Sequence, residues 1–208
     1  FCELPVGAYV QDIVGPLGTP SKIERYGTVV CAGGGIGIAA ILPILTALHK
    51  AGNKVISVLA GRTKNLIIME DDVRENSDEV IIMTDDGSYG QKGMVTAGVE
   101  EVLKREHVDK VLAIGPPVMM KFTSLLAHKY GVPNDVSLNT IMVDGTGMCG
   151  ACRVSVGGKT LFTCVDGPEF DGHKVDFDEA MRRQAMYRTQ ERNAVENHEH
   201  KDCKCYGE

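Results

Sequence analysis

Three cysteines in the C-terminal third of the chain have a spacing that suits a metal centre. Cys149 and Cys152 form a C-x-x-C pair within the segment DGTGMCGACRV, and Cys164 follows after eleven residues. Asp144 lies five positions before Cys149. A cysteine there would complete the C-x4-C-x2-C…C spacing of a plant-type [2Fe–2S] loop. The pattern therefore approaches that of an iron–sulfur loop, and the spacing alone leaves open whether a site with aspartate at this position still holds iron.

The residues around these cysteines favour a loop that can wrap a cluster. Gly145, Gly147 and Gly150 allow close approach and can direct backbone N–H groups at sulfide. The stretch VSVGGKTLFTC is typical of a hairpin with its turn at 157–158, which would return the third thiolate to the loop. Three cysteines and a carboxylate can also bind Zn²⁺, so a zinc site stays open. A thioredoxin-like pair is disfavoured because the C-x-x-C lies in a glycine loop.

Composition and charge narrow the class of protein. The chain has 208 residues, a net charge of −6 and 43% hydrophobic residues, which are ordinary values for a globular protein. No cluster of Lys and Arg indicates nucleic acid as a partner. The longest apolar run, 36–49, is interrupted by Pro43 and is too short to span a membrane. Seven cysteines without a secretory segment favour metal or redox chemistry in a reducing, cytoplasmic setting.

Strands and helices alternate between residues 27 and 143. Continuous Val, Ile and Leu in each strand indicate a parallel sheet covered on both faces. We therefore predict an α/β fold with a five-stranded, doubly wound parallel sheet. The predicted strands are 27–33, 53–61, 79–86, 109–115 and 137–144, and the helices between them are 34–52, 63–76, 93–107 and 117–131. A further short strand is predicted at 8–14, and an exposed helix at 176–196.

Glycine and proline follow three of these strands at one edge of the sheet, where doubly wound folds bind ligands. The segment GGGIG at 33–37 leads into a helix, whose N-terminus could receive a pyrophosphate. The third strand runs into TDDGSYGQKG and the fourth into GPPVMM. Since GGGIG is not the strict G-x-G-x-x-G motif, a plain tight turn remains an alternative for that loop. The three strand ends together predict a nucleotide site.

At these residues the chain resembles a known superfamily. CAGGGIGIA, AGRTK, TDDGSYGQKG and AIGPPVMM are similar to the pyridine-nucleotide half of the ferredoxin–NADP reductase superfamily. VGPLGTP at 14–20 resembles the hinge between that half and a flavin barrel. DGTGMCGACRV, with FTCVDGPEFDGH, resembles the small flavin and iron–sulfur subunits of NADH-dependent ferredoxin:NADP⁺ oxidoreductases, and the electron-transfer subunits of sulfide and dihydroorotate dehydrogenases.

The resemblance implies cofactors and binding residues. It assigns the [2Fe–2S] cluster to Asp144, Cys149, Cys152 and Cys164. It also places NAD(H), favoured over NADP, against a set of residues at the three strand ends. These are Gly33, Gly34, Gly35, Gly37, Arg62, Asp85, Gly115, Pro116 and Met119. No side chain is needed as a general acid or base, because the cofactors carry the chemistry, so no catalytic residue is named.

FAD is expected from the resemblance alone. The Arg-x-Tyr-Ser/Thr flavin motif of the superfamily is not found in the chain, which begins at Phe1, so we expect a fragment or processed product that binds FAD weakly or not at all. The expected division is 1–26 as the end of a flavin barrel with its hinge, 27–143 as the NAD-binding domain, 144–175 as the cluster segment, and 176–208 as a C-terminal helix and tail. The ending HEHKDCKCYGE is expected to be disordered, although its His and Cys residues could bind metal.

These expectations favour one function and leave two alternatives. The favoured one is an electron-transfer subunit that passes electrons between NAD(H), FAD and the cluster, paired with a larger iron–sulfur flavoprotein subunit and, through it, with ferredoxin. The alternative within the superfamily is sulfide or dihydroorotate dehydrogenation, although Asp144 counts against dihydroorotate because that branch resembles all-cysteine sites. The alternative of another class is a nucleotide-binding, metal-stabilised interaction module.

Overall fold

A computed structural model describes residues 3–197, which form a seven-stranded sheet covered by helices and a separate two-stranded hairpin. The strands are β1 (Thr28–Gly34), β2 (Lys54–Gly61), β3 (Glu79–Thr84), β4 (Gln91–Lys92), β5 (Lys110–Ile114), β6 (Asn134–Ser137), β7 (Arg153–Val156), β8 (Lys159–Phe162) and β9 (Glu169–Asp171). The helices are α1 (Gly37–Lys50), α2 (Glu70–Glu75), α3 (Val95–Arg105), α4 (Pro117–Lys129), α5 (Phe177–Gln184) and α6 (Arg188–Asn197).

The large sheet has the order β4-β3-β2-β1-β5-β6-β9. All neighbouring strands are parallel except β6 and β9, which run antiparallel. Strand order reverses at β1, which pairs with β2 on one side and with β5 on the other. A crevice for a ligand is expected at such a switch point, beyond the carboxyl ends of the strands.

Both faces of the sheet are buried, which confirms the predicted doubly wound fold. Val29 and Cys31 of β1 face the cluster of apolar side chains under α1, and Val30 and Ala32 face the larger cluster under α3 and α4. Because successive side chains of a strand point to opposite faces, β1 must be apolar throughout, as its sequence is.

Two predicted strands differ from the structure. The fifth strand was expected at 137–144, but β6 ends at Ser137 and residues 138–144 are irregular. The strand at 134–137 was not predicted because it begins with the polar residue Asn134. The side chain of Asn134 is buried, and it is hydrogen-bonded to Val111 O and to Ser124. The segment 8–14 is also not a strand, and Tyr9 is almost fully exposed. β4 and β9, which the sequence did not reveal, are only two and three residues long.

The predicted hairpin lies between β6 and β9, and the predicted helical region follows β9. β7 and β8 pair antiparallel around the turn at Gly157 and Gly158. The exposed helix predicted at 176–196 is divided into α5 and α6 by one 3₁₀ turn at Ala185–Tyr187. The side chain of Asp176 caps α5 by accepting a hydrogen bond from Glu179 N.

Two further features are the C-terminal tail and the lengths of the helices. The ending HEHKDCKCYGE lies outside the described residues, and so does its predicted metal binding. Within residues 3–197, no helix has both the length and the apolar character needed to cross a membrane.

Candidate metal centre and nucleotide cleft

The hairpin brings two of the predicted ligands together. Cys152 immediately precedes β7 and Cys164 follows β8, so strand pairing places their Sγ atoms 3.2 Å apart. Thr163 ties the two ends, because its N–H and its hydroxyl both donate to Cys152 O. Two thiolates on one tetrahedral metal, with bonds of about 2.3 Å, lie roughly 3.8 Å apart. A small movement would therefore seat both sulfurs on one metal atom.

Burial and proximity affect the pKa of Cys164. The pKa of this thiol is raised, first because its thiol form is hydrogen-bonded with Cys152 and then because desolvation disfavours a thiolate. A bound metal would reverse this effect, since a coordinating thiol is deprotonated. Both cysteines are nearly inaccessible to solvent, with 2% and 7% of their surface exposed.

The other two predicted ligands, Asp144 and Cys149, lie in the loop that precedes β7. One carboxylate oxygen of Asp144 accepts hydrogen bonds from Thr146 N and Thr146 Oγ1, each 2.5 Å long, and the other accepts one of 2.7 Å from Cys149 N. Hydrogen bonds from Cys149 and then from Thr146 lower the pKa of Asp144 far below its ordinary value. Asp144 therefore stays ionised, and its carboxylate holds the loop closed by accepting hydrogen bonds from Thr146 and Cys149.

The four residues form two pairs, not one coordination sphere. Among residues 3–197, no group of three or more His, Cys, Asp or Glu side chains is close enough to hold a single ion. A [2Fe–2S] cluster differs from zinc in having two metal atoms, each with two protein ligands. Cys152 and Cys164 form one close pair of sulfur atoms, and Asp144 is joined to Cys149 through the backbone N–H of Cys149.

The loop passes close to the end of the hairpin at Gly147. This glycine has a φ of +89°, and an added Cβ would lie 2.6 Å from Val165 Cγ2. A larger residue would be strained and would also collide with Val165. The glycine thus lets the loop that carries the exposed Cys149 pass beside Val165.

Two predicted nucleotide residues lie just after β1, and they differ in their surroundings. An added Cβ on Gly37 would collide with the backbone of Ile114, so this glycine lets α1 approach β5. Gly35 has a φ of +55°, and no atom lies within 4 Å of an added Cβ. Its N–H donates to Ala60 O, which fixes the loop against β2. The loop therefore leaves free space at Gly35.

Met119 joins the ends of β1 and β5. Cβ atoms added to Gly34 or Gly115 would both collide with its thioether, so the side chain lies over the two glycines. Pro116 is exposed and comes directly before α4. Three of the predicted residues, Gly34, Gly115 and Met119, are therefore in mutual contact, as the prediction of a common site requires. Gly33 lies beside them, buried at the end of β1.

Arg62 and Asp85 lie at the same edge of the sheet, after β2 and β3. Asp85 N donates to Gly61 O and Asp86 N donates to Arg62 O, so the two segments run side by side. Both side chains are exposed. They are available to a nucleotide, but no hydrogen bond among the described residues links either side chain to the glycine loop.

Two arginines near the cysteines were missed by the sequence prediction. Arg153 Nη1 donates to Gly150 O, and Arg183 Nη2 donates to Ala151 O, each at 3.1 Å. Arg153 directly follows Cys152, which could have drawn attention to it. Arg183 is 32 residues from its partner, and no local pattern marks it.

Comparison with known proteins agrees with this arrangement. Residues 139–176 match the iron–sulfur cluster binding domain of dihydroorotate dehydrogenase B. The chain is 54% identical over 190 residues to a dihydroorotate dehydrogenase B (NAD(+)) electron transfer subunit homolog of Thermotoga maritima, covering 91% of this chain and 67% of that protein. It is 40% identical over 176 residues to a probable subunit of the same kind from Methanocaldococcus jannaschii, covering 84% of this chain and 66% of the relative.

A solved structure supports the same relationship. A chain from the structure of an NADH-dependent reduced ferredoxin–NADP oxidoreductase, described in connection with flavin-based electron bifurcation, is 52% identical and superposes with a TM-score of 0.84. The match covers 91% of this chain and 68% of that one.

The fold and the cysteine loop together define a ferredoxin reductase-like protein that carries an iron–sulfur segment. Its relatives are subunits of oxidoreductases. The chain belongs to the family of dihydroorotate dehydrogenase B electron transfer subunits and their homologues. The predicted fold, superfamily and iron–sulfur character are thereby confirmed, whereas the individual ligand residues remain predictions.

Proposed function

We propose that this chain binds NAD(H) at the edge of its parallel sheet and a [2Fe–2S] cluster at its C-terminal loop and hairpin, as part of an electron-transfer subunit of an NADH-dependent ferredoxin:NADP⁺ oxidoreductase. The observation that carries the proposal is the approach of the Cys152 and Cys164 sulfurs, with Asp144 bonded to the backbone N–H of Cys149, within a segment that matches an iron–sulfur binding domain. This donor set fits a two-iron cluster.

The chain's residues bind and orient the nucleotide. The open loop at Gly35 and the first N–H groups of α1 would receive the pyrophosphate, whose negative charge suits a helix N-terminus. Arg62 would add a positive charge at the same edge. Met119, which covers Gly34 and Gly115, would form the apolar surface beside the nicotinamide. The preference for NAD over NADP belongs to this proposal and rests on the relatives named above.

The chain's role at the cluster is to supply ligands and to limit solvent. Cys152 and Cys164 hold the buried side, and Asp144 and Cys149 hold the exposed side. Hydride transfer and single-electron transfer are the chemistry that nicotinamide, flavin and the cluster supply when bound. No described side chain is required to move a proton. We therefore propose no catalytic acid or base for this chain.

The cofactors and partners of the whole protein follow from the family. FAD is proposed as a further cofactor of the electron-transfer subunit, in agreement with the flavin-based relative. The partner is proposed to be a larger iron–sulfur flavoprotein subunit, through which ferredoxin exchanges electrons. The cytoplasmic setting and the division at residues 27, 144 and 176 are also part of the proposal.

A second candidate is electron transfer for dihydroorotate oxidation, which the names of the two curated relatives favour. Asp144 counts against this second candidate, because the cluster sites of the dihydroorotate branch resemble sites with four cysteine ligands. Adding dihydroorotate to the chain together with its partner subunit would separate the two candidates. Only the second candidate predicts that dihydroorotate then reduces the cluster, whereas both predict electron transfer from NADH.

The proposal is tested by spectroscopy on anaerobically purified and reconstituted protein. We expect broad visible absorbance bands, about two irons and two sulfides per chain as the cluster formula requires, and an EPR signal after reduction with dithionite. Cys152→Ser should lose these features. A colourless wild-type protein that holds one zinc ion instead would overturn the iron–sulfur assignment and favour the metal-stabilised module. NADH titration by calorimetry tests the cleft separately.

A further inference from the structure

Both residues between the cysteines of the C-x-x-C pair have their carbonyl groups bound by arginine. Gly150 O accepts a hydrogen bond from Arg153 Nη1, and Ala151 O accepts one from Arg183 Nη2. The two arginines come from different elements, β7 and α5. Guanidinium groups keep their charge at any pH at which the protein is folded. Two permanent positive charges are thus fixed against the shortest segment between ligands.

The contact of Arg153 extends to a ligand sulfur through one peptide unit. Gly150 O and Ala151 N belong to the same peptide, in which C=O and N–H point in opposite directions. Ala151 N donates to Cys149 Sγ at 3.4 Å while Gly150 O accepts from Arg153. Hydrogen bonds in such a chain polarise one another. The guanidinium therefore strengthens the N–H donor that faces the sulfur.

Arg183 is held in place by the helix that carries it. Phe177 at the start of α5 is buried against the sheet, and Asp178 forms an ion pair with Lys121 of α4. At the other end of α5, Gln184 Nε2 donates to Asn139 O. Arg183 itself is only partly exposed and lines a small cavity of about 30 Å³, together with Ala151 and Arg153. Its charge is consequently less screened than that of a free surface arginine.

We propose that Arg153 and Arg183 are positioning residues that hold the C-x-x-C loop and raise the reduction potential of the cluster. The inference rests on the [2Fe–2S] site proposed above. Reduction adds one electron, and hence one negative charge, to the cluster without making or breaking a bond to these arginines. Nearby positive charge and N–H donors to sulfur favour the more negative, reduced form. Loss of either guanidinium should lower the potential.

The test is an EPR-monitored redox titration of the reconstituted protein, with dithionite as reductant. We expect Arg153→Gln and Arg183→Gln each to shift the ratio of reduced to oxidised cluster at a fixed poise several-fold, up to about tenfold, which equals about 59 mV for one electron. Arg182→Gln is the matched control, because it removes the same charge from the same helix at an exposed position. Arg183→Lys keeps the charge and should recover most of the potential.

The outcomes separate this inference from the function on which it rests. If the wild type contains no cluster, the proposed function fails. If the wild type contains one and both Gln variants titrate like Arg182→Gln, the arginines do not set the potential and the inference is wrong. If Arg183→Gln cannot retain the cluster, Arg183→Lys decides. A potential of Arg183→Lys as low as that of Arg153→Gln would contradict a role for the charge, and a nearly native potential would support it.

Discussion

The sulfur atoms of Cys152 and Cys164 lie 3.2 Å apart, although eleven residues separate them in the chain. The β7–β8 hairpin alone accounts for this approach, because the two cysteines flank its paired strands. Half of the proposed ligand set is thus brought together by ordinary strand pairing. The other half, Asp144 and Cys149, depends on a loop of glycines and on hydrogen bonds to a carboxylate.

The first prediction compares two buried cysteines. Cys164→Ser should lose the cluster, because serine is a harder and weaker ligand than thiolate. Cys31→Ala should keep it, since this residue lies inside β1, where burial raises the pKa of its thiol to about 12. Iron content and visible absorbance after reconstitution measure both. Equal iron in the two variants would show that Cys164 is not a ligand.

The second prediction concerns the open loop at Gly35. Gly35→Leu should raise the dissociation constant for NADH about tenfold or more, because its side chain would fill the space left for the pyrophosphate. Leucine at a positive φ also costs about 1–2 kcal/mol of stability. Gly131→Leu is the control for that strain, since Gly131 has a φ of +68°, equally open surroundings and a position just after α4.

Calorimetric titration with NADH and urea unfolding together distinguish the two effects. Both leucine variants should lose similar stability, and only Gly35→Leu should bind NADH weakly. Unchanged affinity in a folded Gly35→Leu protein would remove the glycine loop from the nucleotide site.

The third prediction contrasts two glycines at the end of the sheet. In Gly37→Ala the new methyl group would meet the backbone of Ile114 and Gly115, which cannot move aside. In Gly115→Ala it would meet Met119 Cε and Sδ at 2.9 Å, the end of a flexible side chain. We expect Gly37→Ala to lower the free energy of unfolding by about 3 kcal/mol, and Gly115→Ala by about 1 kcal/mol or less.

Displacement of Met119 should have a functional effect instead. With flavin present, Gly115→Ala should slow hydride transfer from NADH more than it weakens binding of the adenosine half. Stopped-flow reduction measures the rate of hydride transfer, titration with an adenosine nucleotide measures binding of the adenosine half, and urea midpoints measure the stability. Equal loss of both would mean that the substitution disturbs only the fold, and similar urea midpoints for the two alanine variants would contradict the packing argument.

The sequence predicted what short-range patterns encode. Continuous apolar strands gave β1, β2, β3 and β5, and the turn at 157–158 gave the hairpin. β6 was misplaced because buried Asn134 is satisfied by partners distant in sequence, which no local pattern reveals. Arg183 was missed for the same reason, since a helix far along the chain brings it to the cysteine loop.

The last prediction concerns Asp144, which has two possible roles. Its carboxylate closes the loop through Thr146 and Cys149, and it is the proposed fourth ligand. Carboxylate is harder and donates less electron density than thiolate. Asp144→Cys should therefore retain the cluster, lower its reduction potential and change its EPR signal. Asp144→Ala should leave three protein ligands and a cluster that is lost or is damaged by air.

Thr146→Ala separates ligation from loop closure. It removes the hydroxyl that donates to Asp144 Oδ1 but leaves the carboxylate and the hydrogen bond from Cys149 N in place. If Asp144 is a ligand, Thr146→Ala should keep a cluster of nearly native spectrum while Asp144→Ala should not. If Asp144→Ala retained an unaltered spectrum and potential, Asp144 would only close the loop, and the fourth ligand would have to come from elsewhere in the chain.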